Sequence, residues 1–536
     1  MSFDLSHLVG RELVWLLDFS FAGQAFYLSK DHESATIEGE TFDYHPGLVW
    51  GGTLEDQIDL LSGSPSPNQV SLTLYLEGLA DVPQLVADGH DLAAATGKLF
   101  VWARGSGERL LLIDGKVTDP QYGAKDQPVT LGLEEAPFDD TALFPDAQAR
   151  VDSKTWSTAR EDLELERYPW IFGYPGLDTK PASPALWVAT DKLLIAGHPV
   201  TTDLGSNVTV HNRSTTTSQA LAVAVEADGE GRNVTTVDIS GMSGVNAEDD
   251  EYWVEWASDS AGGVATHDGE VCRGAGDVLR FMMEQSDVRW DRGRLAAIVP
   301  GLNFYRIDAA VIAEPDRRIA PLEWIAENLV PILPISARQG AEGMYWALFR
   351  YDATAADAIA AIDIDRAQGS RDGAVSYSSR DQIANEFRLA YSLFGPTGRH
   401  NRSYILTGDD ETLNREPPIY GGPESTNAAT NAATRISRAR FGYLPREFKT
   451  DVVYDMITAG RVCHWLAAAY ALPSRTIAYT VEQRFGHLVP GDVVTLTDSE
   501  IAASSLPCLV DSVTWSEQGS LGLVLRAIDN PARETF

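Results

Sequence analysis

Hydrophobic and polar residues alternate along most of the first half of the chain. From Leu13 to about Glu135 the runs LVWLLDFSF, QAFYLS, QVSLTLYL, KLFVWA, RLLLIDGKV and PVTLGLE read as short strands, separated by turn clusters such as SGSPSPN. The polar segment GGTLEDQIDLL, Gly51 to Leu61, breaks the pattern. Between Ala136 and Arg167 the alternation lapses into a charged, irregular stretch that reads as a connecting arm. YPWIFGYPG follows at Tyr168 to Gly176, where prolines and glycines among aromatics predict an apolar turn packed on a neighbour. Strand patterns return in ALWVAT, KLLIAG, NVTVHN, ALAVAVEA, NVTTVDIS and EYWVEWAS, up to about Val271.

The period then changes. GAGDVLRFMMEQS places Val278, Leu279, Met282 and Met283 on one helical face. PLEWIAENLVP predicts a second helix, with Pro321 in its first turn and Pro331 beyond its end. NFYRIDAAVI and MYWALFRYD are strand-like, and NEFRLAYSLF, Asn385 to Phe394, reads as a half-buried strand. Gly395 to Thr434 is rich in Asn, Thr, Gly and Pro and reads as a long loop. TDVVYDMITAGRVCHWLAAAY predicts a helix capped by Thr450 or Asp451 and stopped by Pro473; the strands SRTIAYTVEQ, HLVPGDVVTLTD, LPCLVDSVTWSEQ and LGLVLRAID follow it.

These elements predict a β-rich α+β, multi-domain fold with tube-like antiparallel β-barrel domains and a few amphipathic helices. The expected units are a barrel-like region at 1–145, an arm at 146–167, a β-rich region at 168–270, an α+β region at 271–370, and a C-terminal α+β/β-barrel region at 371–536 with the excursion 395–434. A length of 536 residues, at roughly 150 per domain, agrees with several cores. Hydrophobic residues at 44% rule out wholesale disorder.

Charge narrows the function classes. Lys+Arg 42 against Asp+Glu 77 leaves 42 − 77 = −35, which works against gripping nucleic-acid phosphates except through a local patch. The start, with Asp4 before Arg11, is unlike a secretory signal peptide, and the longest apolar runs, LAAIVPGL and LVPILPI, are far short of the ~20 residues that span a bilayer. Cys272, Cys463 and Cys508 read as reduced core thiols.

Candidate chemistry is sparse. Cys463 and His464 are adjacent on a helix, about 100° apart, so they do not share a face as nucleophile and base; a core Cys beside a surface His is expected. His198 with His211, and His267 with Asp268, lack zinc spacing. The acidic segments Glu226–Arg232 and Ala247–Glu251 lack the EF-hand pattern and read as turns. DIDRAQGSRDG, Asp363 to Gly373, holds enough carboxylates for a glycosidase pair, whose meaning depends on their separation. Neither G-x-S-x-G nor a Walker A loop is present. No catalytic residue, cofactor or metal is therefore expected. The basic strip RISRARFGYLPREFK is the exception to the overall charge: Arg435, Arg438, Arg440, Arg446 and Lys449 face one acid, Glu447, and suggest an inter-subunit contact. Arg289, Arg292, Arg294 and Arg306 form a looser group. Trp15, Trp50, Trp102, Trp170, Trp187, Trp253 and Trp256 are either core aromatics or surfaces covered on assembly.

The C-terminal motifs, in order, resemble a known family. A helix ending in "LP", an alternating strand, the turn-strand VPGDVVTLTD and the pattern "V..V.W......L.L.L" are similar to the C-terminal part of tail hub (baseplate hub) proteins of long-tailed phages and gene-transfer-agent particles. NEFRLAYSLF, a long segment and then the helix are similar to what precedes that part. The resemblance covers about the last third of the chain, and the remainder by order alone. It implies a non-enzymatic virion protein of the tail baseplate or tip, assembled in the host cytoplasm. Such a protein forms a homotrimer whose two tube-like barrels per subunit continue a sixfold tube, with 1–145 and 370–536 as their expected places here. The implied partners are a distal tail protein ring, a central fibre or tip protein and the tape-measure protein, with DNA passing through the lumen on ejection. A carbohydrate-active enzyme built of β domains and a host-binding adhesin are the alternatives.

Overall fold

The computed structural model describes residues 12–37, 39–50, 53–57, 69–135, 140–146, 148–176, 181–200, 207–245, 250–256, 263, 270–313, 319–340, 343–406, 424–516 and 519–528. Strands hold 44% of it and helices 20%, so the chain is a β-rich α+β protein. The N-terminal strands form a nine-stranded sheet in the spatial order 33–37, 40–46, 24–29, 13–21, 96–103, 109–121, 129–135, 69–74 and 48–50. Leu13–Phe21 is buried on both faces: Trp15, Leu17 and Phe19 enter the main core, while Val14 and Leu16 pack with Ala35, Tyr44 and Trp102 in a smaller cluster. Double-sided burial is why LVWLL reads as a continuous apolar run.

The C-terminal sheet runs 360–363, 493–498, 503–516, 521–527, 475–481 and 369–371. It faces the N-terminal sheet across one apolar core, in which Trp15 meets Trp50 and Trp515 edge-on at 4.8 and 6.2 Å. The polar break at Gly51 to Leu61 contains a strand after all. Thr53–Gln57 crosses to the other sheet and pairs with Ser512–Ser516, Leu54 opposite Trp515. A strand leaving its own sheet mid-way interrupts that sheet's alternation, which is why this segment resembled a gap.

Between these sheets in sequence lies a closed six-stranded barrel, in the order 183–189, 192–196, 233–238, 217–227, 207–212 and 252–255. It encloses Trp187, Leu193, Ile195, Val208, Val210 and Trp256. Closure thus occurs within 168–270, the region expected only to be β-rich.

A third core gathers helices and a small sheet. We number the helices α1 (Val82–Ala87), α2 (Ala275–Gln285), α3 (Arg292–Leu302), α4 (Pro321–Asn328), α5 (Glu424–Phe441) and α6 (Met456–Tyr470). In α2, Val278, Leu279, Met282 and Met283 are all 0% exposed, as the periodicity predicts. α3 was legible only as an apolar run, because Gly293, Pro300 and Gly301 interrupt its pattern. α6 starts later than expected: Asp455 accepts from the Thr458 amide at 2.8 Å, while 450–454 stay outside the helix. There the Val452 and Val453 carbonyls accept from the amides of Asp308 and Ser392, which fixes the chain before the helix. The expected excursion 395–434 contains the strand Arg399–Leu406 and most of α5, with 407–423 outside the described residues.

Residues 371–536, expected as one unit, divide between two cores. Phe387, Leu389, Tyr404, Val462 and Leu466 pack with α2 and α4, whereas Ile477, Tyr479, Leu523 and Leu525 pack with the N-terminal sheet. The reason is pairing: 386–394, 399–406 and 445–449 form their own three-stranded sheet against α6.

Candidate functional site

The basic strip occupies the C-terminal end of α5, a turn and the edge strand Pro445–Lys449. Arg438 and Arg440 lie in the last turn of α5, where cations complement the helix dipole. Gly442, at φ 81°, ends the helix in a conformation that glycine adopts without a Cβ penalty. Behind the turn sits Asn385, fully buried. Its Nδ2 donates to the Gly442 carbonyl at 2.7 Å and to Ser437 Oγ at 3.2 Å, and its Oδ1 accepts from the Leu444 amide at 2.8 Å.

The structure splits the strip. Parallel pairing sets Arg446 opposite Phe387 and Lys449 opposite Ala390, so these two residues occupy opposite faces of the sheet. Arg446 faces α6, its guanidinium 5.5 Å from the Tyr470 ring centre, and Arg438 lies 5.2 Å from the Tyr443 ring centre. Arg435, Arg440 and Lys449 are exposed. Glu447 is engaged by Arg388 at 3.1 Å, and Arg388 also reaches Glu386 and the Tyr443 hydroxyl. That hydroxyl donates to Glu386 at 2.8 Å, a bond that raises its pKa. Asn385, Glu386 and Arg388 carry no motif; only their place beside the turn reveals them.

The other candidates are built into the scaffold. His198 is buried and its Nε2 accepts from the Ile171 amide at 3.0 Å while Nδ1 meets the Pro199 carbonyl, and burial pushes its pKa down to about 4. His211 instead pairs with Glu255 at 3.2 Å. Cys463 is fully buried with its thiol pKa raised by burial; His464, expected at the surface, is half-buried on α6, and burial lowers its pKa to about 4. In the Glu226–Arg232 turn, Asp228 accepts the amides of Glu230 and Arg232 and a bond from Tyr168. Asp250 and Glu251 are described, and Asp250 binds Asn212 and Tyr252; residues 247–249, with His267 and Asp268, lie outside the described residues. In Asp363–Gly373, Asp363 caps the Arg366 amide, Asp365 accepts from Ser499 and Asp372 from Thr480. Asp363 thus serves its own turn, while Asp365 and Asp372 tie the segment to Ser499 and Thr480. Among the described residues no group of three or more His, Cys, Asp or Glu is placed to hold a metal, and no helix is long and apolar enough to cross a membrane.

Of the tryptophans, Trp15, Trp50, Trp102, Trp187 and Trp256 are buried, while Trp170 and Trp253 are half-buried. The five buried ones are core aromatics rather than surfaces awaiting a partner. Of the looser arginine group, Arg292 and Arg294 stack near Trp290 and Tyr345, and Arg306 is exposed.

No family model and no curated protein matches the sequence. Among solved structures, the chain is similar to the tail protein from Neisseria meningitidis MC58, at 9% identity and a TM-score of 0.36, covering 96% of each chain. It is similar to the 43 kDa tail protein of prophage MuSo2 from Shewanella oneidensis, at 10% identity and a TM-score of 0.36, over 96% of this chain and 98% of that one. A chain from the virion of a native gene transfer agent particle matches at 15% identity and a TM-score of 0.19, over 48% of this chain and 84% of that one. TM-scores this low leave the functional reading to rest on the chain's own residues.

Proposed function

We propose that the chain is a structural, non-enzymatic hub of a phage-like tail, forming a threefold ring at the baseplate or tip. The observation that carries the reading is the shared core of the two large sheets, joined by the strand Thr53–Gln57. Three subunits with two coupled sheets each present six sheet units, which suits a sixfold tube. The coupling matters because a tube wall must resist shear between neighbouring units. The ordered C-terminal motifs, from α6 through VPGDVVTLTD to the last strand, point to the same class of protein.

In this reading the ring joins a distal tail protein ring to a central fibre or tip protein, with the tape-measure protein and then DNA in its lumen. A net charge of −35 suits a wall past which phosphate slides. The exposed Arg435, Arg440 and Lys449 offer one contact to an acidic neighbour. The carboxylates that a glycosidase would need in Asp363–Gly373 are engaged in hydrogen bonds to Arg366, Ser499 and Thr480, which disfavours the enzyme alternative.

Light scattering and particle averages of the isolated full chain test the proposal. A trimer with a central lumen is the expected result; a monomer at every concentration overturns it.

A further inference from the structure

Two exposed surfaces complement each other in charge, each around exposed apolar side chains. The first lies where the end of α3 meets α6. Phe304 and Ile457 are 57% and 51% exposed, and the Arg461 guanidinium lies over the Phe304 ring, 3.4 Å from its centre. Arg461 also donates to the Phe304 carbonyl, and the exposed Arg306 is tied to the same turn of α6 by its amide, 3.1 Å from Thr458 Oγ1. Neither Arg306 nor Arg461 forms an ion pair among the described residues, in a chain where carboxylates outnumber bases 77 to 42. Burial lowers the pKa of Arg461; Asp455 nearby opposes this, while the positive charge of Arg306 adds to it.

The second surface is a knob on the connecting arm. Leu165 is 45% exposed and sits at φ 75°, a left-handed conformation that is costly for a bulky residue. A 3-10 turn at Glu161–Leu163 and two backbone bonds hold it: the Leu165 amide donates to Val151 at 2.8 Å, and the Val151 amide donates to Glu166 at 2.8 Å. Glu161 and Glu164 flank it, both exposed and without a cationic partner among the described residues.

We propose that Phe304 and Ile457, flanked by Arg306 and Arg461, receive Leu165 with Glu161 and Glu164 from a second copy of the chain. Both surfaces are exposed within one copy, so they do not meet there. Two copies at −35 each repel unless their approach sets cations without an ion pair against carboxylates without one, and this pair does so around the apolar centre of Phe304, Ile457 and Leu165. A contact between two different patches is head-to-tail, and such contacts make a ring when the rotation between copies closes.

The inference rests on the ring reading, and charge reversal separates the two. Arg306→Glu and Glu164→Arg are exposed changes that leave the melting temperature unmoved. In analytical ultracentrifugation of the full chain, each single variant is expected to weaken trimer formation at least about tenfold, and the combined variant to recover most of it. Single variants that assemble like the parent overturn the inference while the ring reading stands. A combined variant no better than either single one also overturns the pairing. A monomeric parent overturns the ring reading itself.

Discussion

Arg273 and Asp308 form a doubly bonded ion pair, with Nε to Oδ1 at 2.7 Å and Nη2 to Oδ2 at 2.8 Å. Asp308 is fully buried and also accepts from the Tyr174 amide at 2.8 Å, so it ties the YPWIFGYPG turn to the helical core. Burial raises its pKa, against the pull of the Arg273 guanidinium. The preceding Gly173, at φ 59°, is required there, since a Cβ would overlap the Asp308 carboxylate. Asp308→Asn leaves a largely buried cation without its partner and should cost about 3–5 kcal/mol in denaturant unfolding. Arg273→Met combined with Asp308→Leu should recover most of that loss, because the desolvation penalty disappears with the charges. A double variant no more stable than Asp308→Asn would contradict this account.

His198 makes stability depend on pH. Its folded pKa of about 4 lies below the ordinary value of 6.5, so the unfolded chain binds the proton more readily. Stability from the neutral imidazole is complete above about pH 6.5 and is lost as the pH falls toward 4, by on the order of 3 kcal/mol. His198→Gln retains an acceptor for the Ile171 amide but does not titrate. The melting temperature of that variant should fall less steeply between pH 6.5 and 4 than that of the parent.

Asn385 holds the end of α5 against the three-stranded sheet. Asn385→Ala removes the side-chain partner of the Leu444 amide and the Gly442 carbonyl, both part-buried, a loss of about 0.5–1.5 kcal/mol for each bond. Hydrogen exchange should accelerate in residues 436–449 while the closed barrel stays protected. Uniform acceleration across the chain would mean that the loss is global rather than local.

Gly395 lets the tip of the 386–406 hairpin rest on the barrel. A Cβ there would overlap the Trp253 ring and sit 2.6 Å from the Ala182 carbonyl. Gly395→Ala should therefore cost about 1–3 kcal/mol and raise protease cleavage near Gly398. An unchanged melting temperature and digestion pattern would show that the tip yields freely.

Arg435→Glu with Arg440→Glu reverses exposed charges, of which Arg440 in the last turn of α5 complements the helix dipole. The pair should weaken assembly of the full chain and lower its unfolding stability by no more than about 1 kcal/mol, the size of a helix-end charge effect. Arg438→Glu is a poorer test, because Arg438 also packs on Tyr443. Normal assembly by the Arg435/Arg440 variant would remove α5 from the contact.

The sequence by itself determined the local elements. Alternation marked Leu13–Phe21 and Glu386–Phe394 as strands, and a 3.6-residue period marked α2, because both patterns record which side chains face a core at short range. The buried thiols and the turn that Asp228 holds also followed from composition and spacing, whereas the cap that Asp363 makes did not. What only the tertiary structure decided is partnership. Thr53–Gln57 joins a sheet more than 400 residues away in sequence, Arg446 and Lys449 part to opposite faces, and 371–536 divides between two cores. Backbone hydrogen bonds of a strand are the same whichever partner they meet. The choice is made by long-range packing of side chains, which periodicity along the chain does not record.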